Sequence, residues 1–234
     1  MKIFLAGATG VIGRRLVVLL RKAGHDVVGT TRSETKAVAL QALGATAAVV
    51  DAYDAQKLKL AVYAAQPDVI IHQLTDLPQT IEPQKMAAAL AANARLRIEG
   101  TRNLVDAALA SDVRRIVAQS IAFAYAPGEG PLTEDHPLDP SQAGVIALEQ
   151  ALTQTQDVDG IVLRYGRLYG PGTWTEVAKG PGPLHVNAAA QAALLAMTRG
   201  NPGIYNIAED DGTVLSEKAK RELGFNAAFR MDGG

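Results

Sequence analysis

The chain has 234 residues, 48% hydrophobic and 20% charged, which suits a water-soluble α/β domain with a small appended lobe. A formal net charge of -1 gives no reason to expect nucleic acid or an anionic membrane as a partner. The chain has no cysteine, which excludes disulfides, thiolate nucleophiles and Cys-ligated zinc. Its opening apolar run is too short for a signal peptide or a membrane span, so we expect a cytoplasmic protein.

In the first third of the chain, short β-branched runs alternate with helical patterns, as in a doubly wound parallel sheet. Glycines at 24 and 44 end two of the helices. We expect strands at 3–6, 26–31, 46–50 and 69–74, and helices at 11–23, 34–43 and 54–64.

An alanine-rich pattern then predicts one long helix over 83–109. Residues 127–140 hold four prolines and two glycines and are expected to form a loop. The remaining elements are predicted as strands at 115–120, 160–165 and 204–207 and helices at 143–153, 186–199 and 216–223. The expected architecture is an α/β Rossmann fold with a dinucleotide-binding domain at 1–165. A shortened C-terminal substrate lobe follows at 166–234, with 186–207 returning to the Rossmann sheet.

A glycine-rich turn lies between the first strand and the first helix. Gly7 permits the sharp reversal, Gly10 lets a pyrophosphate approach the backbone, and Gly13 allows the helix to pack closely on the strand. The helix N-terminus offers unpaired N–H groups and a positive dipole end to the phosphates. The turn therefore predicts dinucleotide binding, with Thr9, Val11 and Ile12 as further cofactor contacts.

The end of the second strand indicates which dinucleotide is bound. An NAD site would place an acid there for the ribose hydroxyls, whereas this chain has Arg32, a forked cation suited to a 2′-phosphate. The sequence therefore predicts NADP, with NAD as the alternative if Arg32 is only a solvated loop cation. Other cofactor contacts are expected from Asp51 and Ala52 after the third strand and from Gln73 and Leu74 at the end of the fourth.

Four motifs together resemble the NAD-dependent epimerase/dehydratase branch of the extended short-chain dehydrogenase/reductases. They are Gly7-x-x-Gly10-x-x-Gly13, Asp51-Ala-Tyr-Asp54, Asn93 with Gly100-Thr-Arg-Asn-Leu104, and Arg164-Tyr-Gly-Arg-Leu-Tyr-Gly-Pro-Gly172. The resemblance implies a Rossmann fold, a substrate lobe built from C-terminal segments, and hydride chemistry on a small, often sugar-like substrate.

The chain departs from this family at the catalytic positions. The family's Ser or Thr, four residues before a strand-end Tyr, corresponds to Ile121. Its helix Tyr-x-x-x-Lys, counted back from Glu149, corresponds to Ser141 and Val145. Neither side chain supplies a proton donor with a suitable pKa. The chain is therefore expected to be an atypical member.

Other side chains remain as candidates for chemistry. Tyr125, after the fifth strand, is a candidate acid/base with Ser120 as its hydrogen-bond partner; the alternative is that Tyr125 packs against the proline-rich loop. Tyr165, Tyr169 and Trp174 are candidates for the substrate pocket, although tyrosines near a turn also wedge a lobe in place. The histidines show no metal-ligand spacing, so no metal site is expected.

Two functions follow from these features. The first is an NADP-dependent oxidoreductase or epimerase-like enzyme acting on a small carbonyl or sugar-like substrate. The second is a non-catalytic NAD(P)-binding sensor or regulatory protein. A homodimer through the long helix at 83–109 is also predicted, although that helix could instead cover the sheet of its own domain.

Overall fold

The computed structural model describes residues 1–78 and 80–231, and a parallel sheet runs through its centre. The last three positions of the predicted C-terminal lobe lie outside the described residues. Nine strands are formed: β1 (Lys2–Ala6), β2 (Asp26–Thr31), β3 (Thr46–Val49), β4 (Val69–His72), β5 (Arg115–Ile121), β6 (Asp159–Tyr165), β7 (Arg167–Tyr169), β8 (Pro183–His185) and β9 (Gly203–Ile207).

Helical segments connect most of these strands. They are α1 (Val11–Lys22), α2 (Glu34–Ala42), α3 (Ala55–Ala65), α4 (Pro83–Arg95), a π-helical segment (Leu96–Gly100), α5 (Thr101–Leu109), α6 (Ala143–Thr153), α7 (Val186–Ala196) and α8 (Glu217–Leu223). The predicted Rossmann-type α/β fold is confirmed, and most predicted elements begin and end within two residues of the observed ones.

The sheet has seven parallel strands in the order β3-β2-β1-β4-β5-β6-β9. Successive side chains of a strand point to opposite faces, so β1 feeds two cores. Ile3 and Leu5 pack with α1 and α7 on one face. Phe4 and Ala6 pack with α3, α5 and α6 on the other face. Strands buried on both faces explain the continuous apolar runs in the sequence.

The strand order places a crevice beside β1. The chain leaves β1 toward β2 on one side and leaves β4 toward β5 on the other, so the connections diverge above the adjacent ends of β1 and β4. Open parallel sheets bind their ligands at such a point, outside the carboxyl ends of the strands. The glycine turn and the residues that follow β2, β3, β4, β5 and β6 all lie at this edge.

The predicted long helix is interrupted by the π-helical segment between α4 and α5. A Cβ on Gly100 would lie 2.9 Å from Leu96 Cδ1 and 3.6 Å from Ala52 Cβ, so the glycine allows the helix to approach the loop after β3. Hydrophobic periodicity does not reveal the extra residue of a π-turn, which is why the sequence predicted one uninterrupted helix.

Residues 166–231 contribute to two different parts of the structure. Strands β7 and β8 form a separate two-stranded parallel sheet that the sequence analysis missed, because three-residue strands beside Gly-Pro turns show no periodicity. Helix α7 packs on α1, and β9 pairs with β6 in the main sheet. In the described part of the chain, no helix combines the length and the apolar character needed to cross a membrane.

Candidate functional site

The glycine turn is built by close backbone approach. Gly7 has φ +88°, and a Cβ there would lie 2.5 Å from the carbonyl oxygen of Gln73 at the end of β4. A Cβ on Gly13 would lie 2.2 Å from the carbonyl oxygen of Gly7. Only glycine fits at either position, so the turn packs directly against the neighbouring strand end.

Gly10 leaves the N-terminus of α1 open. It is the exposed N-cap residue, and the first turn of α1 has no side-chain cap and no acidic residue. A Cβ at Gly10 would meet only the carbonyl oxygen of Gly7, at 3.3 Å. The N–H groups of the first helical turn have no intrahelical acceptors, so they are available to an anion. These residues fit the pyrophosphate of a dinucleotide.

The Arg32 side chain reaches the loop after β4. Its guanidinium donates to Asp76 at 3.2 Å, with side-chain exposures of 60% for Arg32 and 30% for Asp76. The backbone N–H of Asp76 is held by the buried Asn93 side chain at 2.9 Å. Nothing in the local sequence pattern distinguishes Asp76 from a solvated loop acid, so the sequence alone did not predict it as a site residue.

The acids after β3 have separate roles. Asp54 caps α3 by accepting from the Lys57 N–H at 3.0 Å. Asp51 accepts from the Tyr53 N–H at 3.0 Å. Ala52 is buried, and its carbonyl accepts from Asn103 at 2.8 Å. Only Asp51 lies at the strand end without acting as a helix cap.

Two side chains at the end of β4 are buried. His72 lies between the Leu74 N–H, which donates to Nδ1 at 3.2 Å, and Thr101 Oγ1, which is 3.0 Å from Nε2. Burial, aided by the charge of Arg97, lowers the pKa of His72 to about 4. The amide nitrogen of Gln73 is 3.4 Å from the Tyr165 hydroxyl. The Gln73 amide oxygen has no partner among the described residues, which leaves one buried acceptor for a ligand donor.

The predicted contact between Ser120 and Tyr125 is wrong. The Ser120 hydroxyl instead donates to Glu149 on α6 at 2.7 Å. Glu149 forms a buried two-point ion pair with Arg164 on β6, at 2.9 and 2.7 Å. Arg164 in turn donates to the Tyr125 hydroxyl at 2.9 Å, and that hydroxyl donates to Asn206 on β9 at 2.5 Å. These five side chains form one network, which we call the Glu149–Arg164 network.

In the Glu149–Arg164 network, the Tyr125 hydroxyl donates to Asn206 and accepts from Arg164. Burial raises the pKa of this hydroxyl, against the opposing effect of Arg164. The positions of the family's Tyr and Lys offer no replacement, because Ser141 is exposed and Val145 is buried in the core.

Tyr-x-x-x-Lys spacing does occur at Tyr53 and Lys57, but at the end of the crevice near β3. There the Tyr53 hydroxyl is 3.5 Å from the Ala92 carbonyl, and Lys57 pairs with Asp54.

Tyr165 and Tyr169, both predicted for the substrate pocket, form hydrogen bonds within the protein. Tyr165 is 2% exposed and donates to the Ala189 carbonyl at 3.1 Å, so it belongs to the core rather than to a pocket wall. The Tyr169 hydroxyl donates to Glu209 at 2.7 Å. For these two residues, the contacts correspond to the wedging alternative.

Trp174 is different, because it lies beside the crevice. Its indole N–H donates to the Pro78 carbonyl, 3.0 Å away in the loop after β4. A Cβ on Gly172 would lie 3.5 Å from Val11 Cγ2 at the start of α1. Arg15 fixes this segment by donating to the Pro171 carbonyl at 2.5 Å and to Asn187 at 2.8 Å. Residues 171–174 therefore extend from the open helix N-terminus to the loop after β4.

Comparison with known proteins agrees with this geometry. The fold and crevice define a Rossmann-type dinucleotide-binding protein. The chain belongs to the NAD-dependent epimerase/dehydratase family, whose sequence model matches residues 3–181. This confirms the family resemblance seen in the sequence motifs.

Three known proteins illustrate the relationship. A Streptomyces protein named 3-diazoavenalumate denitrifying reductase is 40% identical, over 90% of this chain and 77% of its own. The UDP-glucose 4-epimerase of Thermotoga maritima superposes with a TM-score of 0.81 at 18% identity, covering 98% of this chain and 94% of that one. The Thermus thermophilus UDP-glucose 4-epimerase, solved with NAD, has a TM-score of 0.80 at 19% identity, covering 99% and 95%. At such low sequence identity, the similarity to the two epimerases shows only that the fold is shared.

Within residues 1–78 and 80–231, no group of three or more His, Asp and Glu side chains could hold a metal ion.

The Glu149–Arg164 network predicts a large stability effect for Glu149→Gln. The substitution leaves the buried Arg164 charge uncompensated, so the free energy of unfolding should fall by about 3–5 kcal/mol. Glu99→Gln is a matched control, because Glu99 forms a similar two-point pair with Arg95 on an exposed helix surface. Glu99→Gln should leave the free energy of unfolding, measured by chemical denaturation, unchanged within error. Equal effects of the two substitutions would contradict a structural role for the buried pair.

The environment of His72 predicts that stability falls in acid. An imidazole titrates near pH 6.5 in an unfolded chain but at about 4 in the fold, so the unfolded state binds the extra proton first. This residue should therefore contribute a loss of about 3 kcal/mol as the pH falls from 7 to 4. Denaturation at several pH values, with wild type and His72→Asn, measures that slope. A folded His72 that titrates near pH 6.5 by NMR would refute it.

Proposed function

We propose that this protein is an NADP-dependent oxidoreductase acting on a small substrate. The observation that carries the proposal is the uncapped N-terminus of α1 behind Gly10, combined with a guanidinium at the end of β2. The first would hold the pyrophosphate and the second the 2′-phosphate. The NAD-dependent family supports a nicotinamide dinucleotide as cofactor, and the Streptomyces relative is named as a reductase. The choice of NADP over NAD rests on Arg32 alone.

Specific residues would hold the cofactor when it is bound. The N–H groups of Val11, Ile12 and Gly13 would donate to the phosphates, and the positive end of the helix dipole would add to this attraction. Arg32 would release Asp76 and pair with the 2′-phosphate instead. Asp51 would lie at the adenosine end, and Gln73 offers its unpaired amide oxygen at the β4 end. A reduced nicotinamide supplies a hydride.

The substrate must suit a site without the family's acid/base pair. A carbonyl that accepts a hydride becomes an alkoxide and needs a proton in the transition state. Here Ile121, Ser141 and Val145 occupy the catalytic positions, and the Tyr125 hydroxyl is held by Asn206 and Arg164. We therefore favour an electron-poor acceptor that does not need a proton from the protein. The relative's name, which describes removal of nitrogen from a diazo compound, is consistent with this choice.

Two other candidates keep specific support. A small carbonyl or sugar-like substrate would require Tyr125, with Ser120 in its network, as the acid/base predicted from the sequence. A non-catalytic sensor would explain the same missing pair without any chemistry. A sensor binds the cofactor without consuming it, so turnover separates it from both enzymes.

The homodimer and the cytoplasmic location are two further predictions from the sequence. Helix α4 is largely exposed, with Asn93 its only buried residue, so a homodimer through 83–109 stays a prediction. Cytoplasmic location also stays a prediction.

The cofactor assignment predicts tighter binding of NADPH than of NADH. Arg32→Ala should weaken NADPH binding by roughly tenfold or more, the scale of a lost charge-assisted hydrogen bond. The affinity for NADH should change by less than about twofold. Trp174, the only tryptophan, lies beside the crevice, so its fluorescence provides the readout. Arg21→Ala is the control, because Arg21 pairs with Asp26 at the opposite end of β2. Equal affinities for both cofactors would refute NADP preference, and binding of neither would refute the function.

The network predicts that Tyr125→Phe affects stability more than catalysis. Removing the hydroxyl leaves the Asn206 side-chain oxygen without its donor and takes one acceptor from Arg164, which keeps Glu149 and the Glu134 carbonyl. The loss should cost about 1–3 kcal/mol of unfolding free energy. The ratio kcat/KM should stay within about threefold, measured as NADPH oxidation with acceptors from a panel of aldehydes, ketones and diazo compounds. A loss of about 100-fold or more would instead identify Tyr125 as the acid/base.

A further inference from the structure

A cavity of about 340 Å³ opens at the carboxyl edge of the sheet. One wall is the loop that follows β5, from Phe123 to Leu132, and the opposite wall is Gly212 and Thr213 after β9. The cavity therefore lies on the β5–β9 side of the crevice, away from Arg32 and the adenosine end. Its volume is at the lower limit for small-molecule sites, which favours a small ligand.

The cavity wall is partly apolar and partly polar, and glycines make room in it. Phe123 lines the wall while 46% exposed, so a large aromatic surface stays open to a ligand. Cβ atoms at Gly130 and Gly212 would meet nothing within 4 Å, and one at Gly128 would meet only a carbonyl oxygen at 4.0 Å. Larger side chains at these positions would project into open space and reduce access.

One cation lies beside this aromatic surface. The Arg167 guanidinium is over the Phe123 ring, 4.7 Å from its centroid. Within the described part of the chain, no carboxylate forms an ion pair with Arg167. The nearby Asp211 already accepts from the Gly182 N–H through one oxygen and from Thr213 through the other. Glu129, also on the loop, is exposed.

We propose that this cavity binds a planar organic carboxylate, with its flat apolar part against Phe123 and its carboxylate paired with Arg167. A guanidinium matches a carboxylate through two parallel hydrogen bonds, and a planar group packs on an aromatic face with little loss of conformational entropy. The proposal rests on the proposed function only in that this molecule would be the hydride acceptor. Binding itself does not require turnover.

The test is calorimetric titration of the full-length protein with trans-cinnamate and with its neutral isostere cinnamamide, with and without saturating NADPH. Cinnamate should bind at least about tenfold more tightly than the amide, as expected for one charge-assisted pair. Arg167→Gln should remove that difference and change the affinity for cinnamamide by less than about twofold. Phe123→Leu and Gly128→Val should weaken both probes. Arg114→Gln should change the binding of neither probe, because Arg114 is an exposed arginine just before β5 that pairs with Asp157.

The outcomes separate this inference from the proposed function. Equal binding of acid and amide, unchanged cinnamate binding in Arg167→Gln, or no saturable binding would each overturn it. NADPH binding, followed separately by Trp174 fluorescence, tests the proposed function in the same samples. Thermal unfolding midpoints show whether Gly128→Val is folded, and the Arg167→Gln comparison decides the question without that variant.

Discussion

The buried ion pair between Glu149 and Arg164 links a helix to several strand ends at the carboxyl edge of the sheet. Two charges with side-chain exposures of 5% and 4% are costly to remove from water, and the cost is offset only when every donor and acceptor is used. Ser120, Tyr125 and Asn206 complete that requirement. As a result α6, the β5 end, β6 and β9 are held in one relative position at the carboxyl edge.

This arrangement has a consequence for chemistry. The hydroxyl that the sequence offered as an acid/base is committed to the network, while the helix positions that carry the family's acid/base pair hold a serine and a buried valine. The chain therefore combines an intact phosphate-binding turn with a substrate side that has lost the usual proton donor. The family model and the name of the Streptomyces relative support a nicotinamide-dependent oxidoreductase or epimerase.

The C-terminal lobe makes contacts beside the crevice. Its segment at 171–174 reaches from the start of α1 to the loop after β4, held by Arg15 and Trp174. The cavity beside Phe123 is small, and the exposed Arg167 lies next to it, over the Phe123 ring. The UDP-glucose 4-epimerases compared above share the fold alone.

The sequence by itself determined the fold and the position of the cofactor crevice. Both depend on local rules: alternating strand and helix patterns, and glycines whose missing Cβ atoms permit a turn. It could not reveal the π-helical segment or the strands β7 and β8, which are too short to produce a periodic signal.

Only the tertiary structure decided the roles of individual polar residues. Ser120, Tyr125, Arg164 and Asn206 lie up to 86 positions apart in the sequence, and their partners depend on which strand ends meet. The same is true of Arg32 with Asp76 and of Phe123 with Arg167. Hydrogen bonds and ion pairs act over a few ångströms, so their members become known only when the sheet order brings distant segments together.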